Sequence, residues 1–81
     1  MAQYRIEISD RERARNVQAS DAREAIATAV GSRLINVRHD CDSVDRQGRV
    51  EYSRFEAAVQ TGRTVGGATP FRNIWVTVTR L

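Results

Sequence analysis

One stretch of the chain, S-D-A-R-E-A-I-A-T-A-V-G at residues 20–31, constrains the fold more than any other. Ser20 can cap the first turn of a helix, and Gly31 stands where a left-handed residue commonly ends one. Between them, apolar residues recur at helical spacing: Ala22, Ala25, Ile26, Ala29 and Val30. A stripe made mostly of alanine lets a helix lie close to a flat surface, so we expect one helix packed on a sheet.

The segments on either side of this helix have the two-residue periodicity of half-buried strands. Tyr4, Ile6 and Ile8 alternate with polar residues, and I-W-V-T-V-T-R-L at 74–81 is the clearest strand in the chain. Residues 14–19 are predicted to return as a short second strand with Val17 inward, although a plain loop is the alternative.

After the helix, residues 33–39 predict a strand, and 45–48 are the best turn in the chain because Gly48 supplies a permissive backbone. The segment that follows at 53–60 fits two structures. It matches a helical capping box, S-R-F-E, but it also continues a long strand that pairs with residues 33–44. We favour the strand.

These elements predict an α+β fold in a single domain, residues 1–81. It consists of one antiparallel sheet of four to five strands with one helix packed on one face, in the order β(β)αβββ. Neighbouring strands are expected to pair because the connections are short.

Composition narrows the classes of function. No apolar run approaches the roughly 18 residues of a membrane span, and the N-terminal residues predict a strand rather than a signal peptide. With a single cysteine, the chain can form no internal disulfide. We therefore expect a cytoplasmic protein with no membrane contact. The formal net charge is +3, and all 13 basic residues are arginine, a bias that a GC-rich genome explains.

Two polar segments contain residue types that occur in catalytic, metal or phosphate sites. In H-D-C-D at 39–42, a regular strand would place His39 and Cys41 on one face and the two aspartates on the other, so four ligands cannot converge. Nothing identifies the third group or the oxyanion site that a catalytic Cys–His pair needs. The glycine-rich segment at 62–69 lacks the G-K-[ST] ending of a phosphate loop. We predict no enzyme, no metal and no cofactor.

Trp75 is the residue expected to mark the functional surface. If Ile74, Val76 and Val78 pack under the helix, Trp75 lies on the opposite face, where a two-layer domain has no second layer. An exposed tryptophan there is typical of an interface anchor, unless the loop at 61–73 folds over it. The predicted partner-binding residues are Trp75, Thr77, Phe71 and Arg63.

An alternative binding surface is basic. Arg11, Arg13 and Arg15 lie close together near the first turn and could contact nucleic-acid phosphates. Two features weaken this alternative: Asp10 and Glu12 are interspersed among the arginines, and no aromatic residue there could stack on bases.

The chain also resembles two groups of proteins. The strand–helix–strand–strand order with V-D-R-Q-G-R-V-E-Y resembles dodecin, a small flavin-binding protein that assembles as a dodecamer, although Trp75 lies beyond this resemblance. Size, lysine-free composition and the strand before S-D-A-R-E-A-I are similar to accessory proteins of phages of GC-rich actinobacterial hosts, which often bind one host protein.

We therefore predict a non-enzymatic protein that acts by protein–protein contact, with itself as a homo-oligomer among its partners. If the chain is phage-encoded, it would bind or inhibit a protein of its bacterial host. The alternatives are an arginine-mediated nucleic-acid-binding protein and, third, a dodecin-like flavin-binding oligomer.

Overall fold

The fold is one antiparallel sheet of five strands with a single helix on one face, in a computed structural model that describes residues 1–81. Its elements in chain order are β1 (Ala2–Ile8), β2 (Arg15–Ala19), α1 (Ala22–Val30), β3 (Leu34–Val44), β4 (Val50–Gln60) and β5 (Phe71–Arg80). The strands lie in the order β2-β1-β5-β4-β3. This confirms the predicted α+β fold, including the short second strand and the strand at 53–60.

The helix begins one residue later than the sequence suggests. Asp21, not Ser20, is the N-cap: its Oδ1 accepts a hydrogen bond from the Glu24 N–H at 2.8 Å, while the Ser20 hydroxyl donates to the Glu24 carboxylate. Gly31 ends the helix as predicted, with φ of +93° and its N–H donating to the Ala27 carbonyl at 2.8 Å. The helix has nine residues, and no helix here is long and apolar enough to cross a membrane.

The core lies between α1 and one face of the sheet. All thirteen buried residues are apolar, and Ile6, Ile26 and Val76 are the largest that are fully enclosed. The inward residues of β1 and β5 alternate as predicted, and Phe55 and Ala57 of β4 face the same core. The other face of the sheet carries the residues that alternate with these buried ones along each strand, and most of them are polar.

Two strands are longer than predicted because strand pairing satisfies their backbone groups. β5 begins at Phe71, which pairs with Gln60, rather than at Ile74. β3 continues to Val44, beyond the predicted strand at 33–39 and to the end of the segment expected to pair with β4. The predicted turn at 45–48 itself is confirmed: the Gly48 N–H donates to the Asp45 carbonyl at 3.1 Å, and Gly48 has φ of +81°.

The pairing of β3 with β4 is irregular. Register shifts lie between Leu34 and Asn36, between His39 and Cys41, and between Ser43 and Val44. The middle shift leaves Asp40 without a direct partner, so His39 pairs with Phe55 and Cys41 with Arg54. The expected sharing of a face by His39 and Cys41 is therefore wrong, since one extra residue reverses the alternation beyond it.

Candidate functional site

The face of the sheet opposite α1 has no second layer, and β5 runs through its middle. Phe71, Trp75 and Thr77 alternate onto this open face, as the sequence predicts for Trp75 and Thr77. The Trp75 side chain is 37% exposed and Phe71 is 57% exposed. Trp75 therefore lies outside the core, and the structure brings three of the four predicted partner-binding residues onto one surface.

A trough crosses this open face, with a volume of about 730 Å³. A twisted sheet turns its diagonal corners toward each other, and here the β1–β2 loop and the β3–β4 hairpin form the two walls. The floor consists of Arg5, Glu7, Arg54, Trp75 and Thr77. The walls include Arg11, Glu12 and Ala14 on one side and Cys41, Ser43 and Tyr52 on the other.

The guanidinium of Arg54 lies over the Trp75 ring, with its central carbon 4.2 Å from the ring centroid. Cross-strand pairing explains the contact, because Arg54 lies opposite Thr77 and thus diagonal to Trp75. The cation is attracted to the π electrons and shields one face of the ring. A flavin or a base could stack on that face only by displacing the guanidinium.

Among the strand arginines Arg5, Arg38 and Arg54 of the open face, Arg54 alone has no carboxylate within ion-pair distance. Arg5 pairs with Glu7 at 3.7 Å and Arg38 pairs with Glu56 at 3.2 Å. The trough floor therefore holds one cation that has no carboxylate partner and lies over the ring of Trp75.

The position of Trp75 is fixed through its backbone. Its N–H donates to the Ser9 hydroxyl oxygen at 3.0 Å, and its carbonyl accepts from the Ser9 N–H at 2.9 Å. Next to this pair, the Arg72 guanidinium donates to the Asp10 carboxylate. The trough wall at the β1–β2 loop is thus tied directly to β5.

The three arginines of the alternative nucleic-acid surface have different surroundings. Nη1 of Arg11 donates to the Ala29 carbonyl at 3.1 Å, and Nη1 of Arg15 reaches the same oxygen at 3.5 Å. Both charges therefore lie at the C-terminal end of α1, where the helix dipole favours cations. Arg13 makes no such bond and is exposed.

Arg63 lies in the loop at 61–70 and does not line the trough. Within this loop, Val65 and Ala68 exchange backbone hydrogen bonds at 2.9 and 3.0 Å around Gly66 and Gly67, which both have positive φ. The glycines therefore serve a two-residue reverse turn, which requires this conformation. The loop does not cover Trp75.

The H-D-C-D segment forms a hydrogen-bonded cluster with β4. Oδ1 of Asp42 contacts Nε2 of His39 at 2.8 Å and accepts from the Ser53 hydroxyl at 2.6 Å. These bonds, that of Ser53 first, hold the pKa of Asp42 below its usual range. The aspartate lies between the serine and the histidine, whereas a serine hydrolase needs the histidine in the middle.

Cys41 is exposed on the wall of the trough. A hydrogen bond with Asp40 raises the pKa of its thiol, which lowers the fraction of reactive thiolate. No group of three or more His, Cys, Asp or Glu residues is arranged to hold a metal ion. Nothing in this segment has the geometry of a catalytic centre.

Sequence reasoning missed the charged floor of the trough. Arg5 and Glu7 could have been found, because they alternate with the apolar residues of β1. Arg54 could not, since its place beside Trp75 depends on the register of β4 against β5.

No protein-family model, curated protein or solved structure matches this chain.

Proposed function

We propose that this chain is a non-enzymatic binding protein that acts by protein–protein contact through the open face of its sheet. The observation that carries the proposal is Trp75, partly exposed on the floor of a trough that no element of the chain covers. Tryptophan and arginine are the residues most enriched among those that dominate binding energy, and here they are stacked together.

Rigid support favours this use of the surface. The floor residues lie on three neighbouring strands, and Ser9 holds the Trp75 backbone on both sides. A surface that is already in its bound conformation loses little conformational entropy when a partner docks.

We further propose that a second copy of the chain is one such partner. Exposed aromatic side chains extend beyond the trough floor, with Phe71 at one end of the face and Tyr52, 40% exposed, on the hairpin wall. A small domain with thirteen buried residues gains stability when such a face is covered. A foreign partner, such as a host protein if the chain is phage-encoded, would use the same face.

The experiment is size-exclusion chromatography with light scattering over a range of concentrations. The wild type is expected to show a mass above that of one chain, and Trp75→Ala to lower it. Val65→Ala is the matched control, because Val65 is an exposed apolar residue outside the trough. The absorbance spectrum of the same peak tests the alternatives, since bound flavin is yellow and bound nucleic acid raises the 260 nm signal.

A monomeric wild type would reject self-association and leave a foreign protein as the partner. If Trp75→Ala unfolds the chain, Thr77→Arg provides a second variant, because it places bulk and charge on the trough floor without removing the tryptophan. An oligomer that is unaffected by both substitutions would contradict the use of this face for self-association.

A further inference from the structure

We infer that the trough binds an acidic peptide segment of a partner protein, with Arg54 receiving a carboxylate from it. This inference rests on the proposed function, because it names the chemistry of the partner that the open face would take. It follows from the charges in the trough, from the position of Arg54 over the Trp75 ring and from the part of that ring that stays exposed.

The charged residues that line the trough are three arginines and three carboxylates: Arg5, Arg11 and Arg54, and Glu7, Glu12 and Asp42. On its floor, one positive group is left without a carboxylate. Arg5 and Glu7 lie 3.7 Å apart and largely offset each other. On the hairpin side, Asp42 already accepts two hydrogen bonds, from His39 and Ser53. Arg54 has no carboxylate partner, and the chain as a whole carries a net charge of +3. The floor therefore complements a negative group.

The stacking of Arg54 on Trp75 prepares the guanidinium for a carboxylate. Contact with the ring restricts the motion of the side chain, and the N–H groups of a guanidinium all lie in its own plane. Such a planar fork matches the two oxygens of a carboxylate, which a lysine ammonium cannot do. Apolar side chains beside that carboxylate would contact Trp75 and Tyr52.

A single-stranded nucleic acid fits this trough less well than an acidic peptide. Nucleic-acid grooves combine a continuous positive track with aromatic faces that are open to bases. Here Glu7 and Glu12 interrupt the positive charge, and Arg54 occupies one face of the tryptophan.

The test is selection from a displayed library of random peptides about a dozen residues long on immobilised wild-type protein. The expected peptides are rich in Asp and Glu next to apolar residues. Affinities of the selected peptides for the wild type and each variant are then measured by isothermal titration calorimetry. Arg54→Gln is expected to weaken binding roughly tenfold or more, and Arg54→Lys to weaken it less.

Arg38→Gln is the matched control, because Arg38 is also exposed but is already paired with Glu56. It is expected to leave the affinity unchanged. Retained far-ultraviolet circular dichroism in each variant establishes that a lost affinity is not lost folding. An oligothymidylate of similar length serves as the competing probe.

Selected peptides without acidic enrichment, or equal affinity in Arg54→Gln, would overturn the inference. Tighter and Arg54-dependent binding of the oligothymidylate would overturn it in favour of nucleic acid. Peptides that depend on Trp75 but not on Arg54 would reject the acidic partner and keep the proposed function. If no peptide is enriched, the inference fails, and the proposed function is judged separately by the light-scattering experiment.

Discussion

Asp42 on β3 and Ser53 on β4 share a hydrogen bond of 2.6 Å between the serine hydroxyl and the carboxylate oxygen Oδ1. His39 contacts the same oxygen at 2.8 Å. Together these bonds lower the pKa of Asp42 in the folded state. A depressed carboxyl pKa contributes stability above the unfolded pKa, and that contribution is lost as the pH falls through the folded value.

We therefore expect the titration of Asp42, followed by NMR of its carboxyl carbon, to lie below its usual range. Ser53→Ala removes the first of the two bonds and should raise the pKa of Asp42 toward the ordinary value of about 4. Ser43→Ala, which removes a hydroxyl that makes no hydrogen bond to the Asp42 carboxylate, is the control and should leave that pKa unchanged. An unshifted pKa in the wild type would contradict the geometry.

The helix cap gives a second prediction. Asp21→Ala should lower the free energy of unfolding by about 1 kcal/mol, because the Glu24 N–H loses its acceptor. Ser20→Ala keeps that acceptor and should cost less. Urea denaturation of the two variants decides between the residues, and a larger loss for Ser20→Ala would show that the cap lies one residue earlier.

A third prediction concerns the arginines near the end of α1. Arg11→Ala should destabilise the protein by roughly 0.3–1 kcal/mol, since its charge lies at the helix C-terminus and donates to the Ala29 carbonyl. Added salt should reduce this loss. Arg13→Ala, in the same loop without such a bond, should have no measurable effect in thermal denaturation. Equal effects of the two substitutions would mean that the loss comes from charge alone and not from the contact.

A fourth prediction compares Ile26, which belongs to the core, with Trp75, which lies outside it. Ile26 is fully buried, so Ile26→Ala should cost about 2–5 kcal/mol and can unfold a domain of this size. Trp75→Ala removes a partly exposed ring outside the core cluster and should leave the chain folded. Chemical denaturation ranks the two, and a larger loss for Trp75→Ala would place the tryptophan in the core.

Cys41 supplies the fifth prediction. Its thiol is exposed, but the hydrogen bond with Asp40 raises its pKa, so alkylation by iodoacetamide should be slow at neutral pH and accelerate as the pH rises. Asp40→Asn should lower that pKa and speed the reaction at neutral pH. Glu51→Gln, on the neighbouring strand, is the control for a general change of charge and should leave the rate unchanged.

The sequence was sufficient for the elements and for the place of Trp75. Alternation places Ile74 and Val76 on one face of the sheet and Trp75 on the other. The apolar stripe of the helix then indicates which of the two faces is covered. The helix start was missed by one residue, since Ser20 and Asp21 are equally good caps. Ala19 is buried at the end of β2, so the chain leaves the sheet only after it, and the helix therefore begins after Asp21 rather than after Ser20.

The trough floor required the register between strands, which local residue patterns do not encode. Arg54 meets Trp75 only because it pairs with Thr77, and the length of the loop between β4 and β5 sets that pairing. The bulge at Asp40 was equally invisible, since a single unpaired residue leaves no compositional signal. Both are consequences of tertiary packing rather than of propensity.

The irregular register of β3 disfavours the addition of a further strand at this edge of the sheet. β3 is an outer strand of eleven residues, long enough to serve as a template on which another chain could add a strand. Three register shifts interrupt its pairing with β4, two of them at extra residues of β3 itself, and the outer strand on the opposite side, β2, has only five residues. Growth of the sheet by edge-to-edge addition is thereby disfavoured, because a bulged strand bends and twists and a short strand offers few free backbone groups.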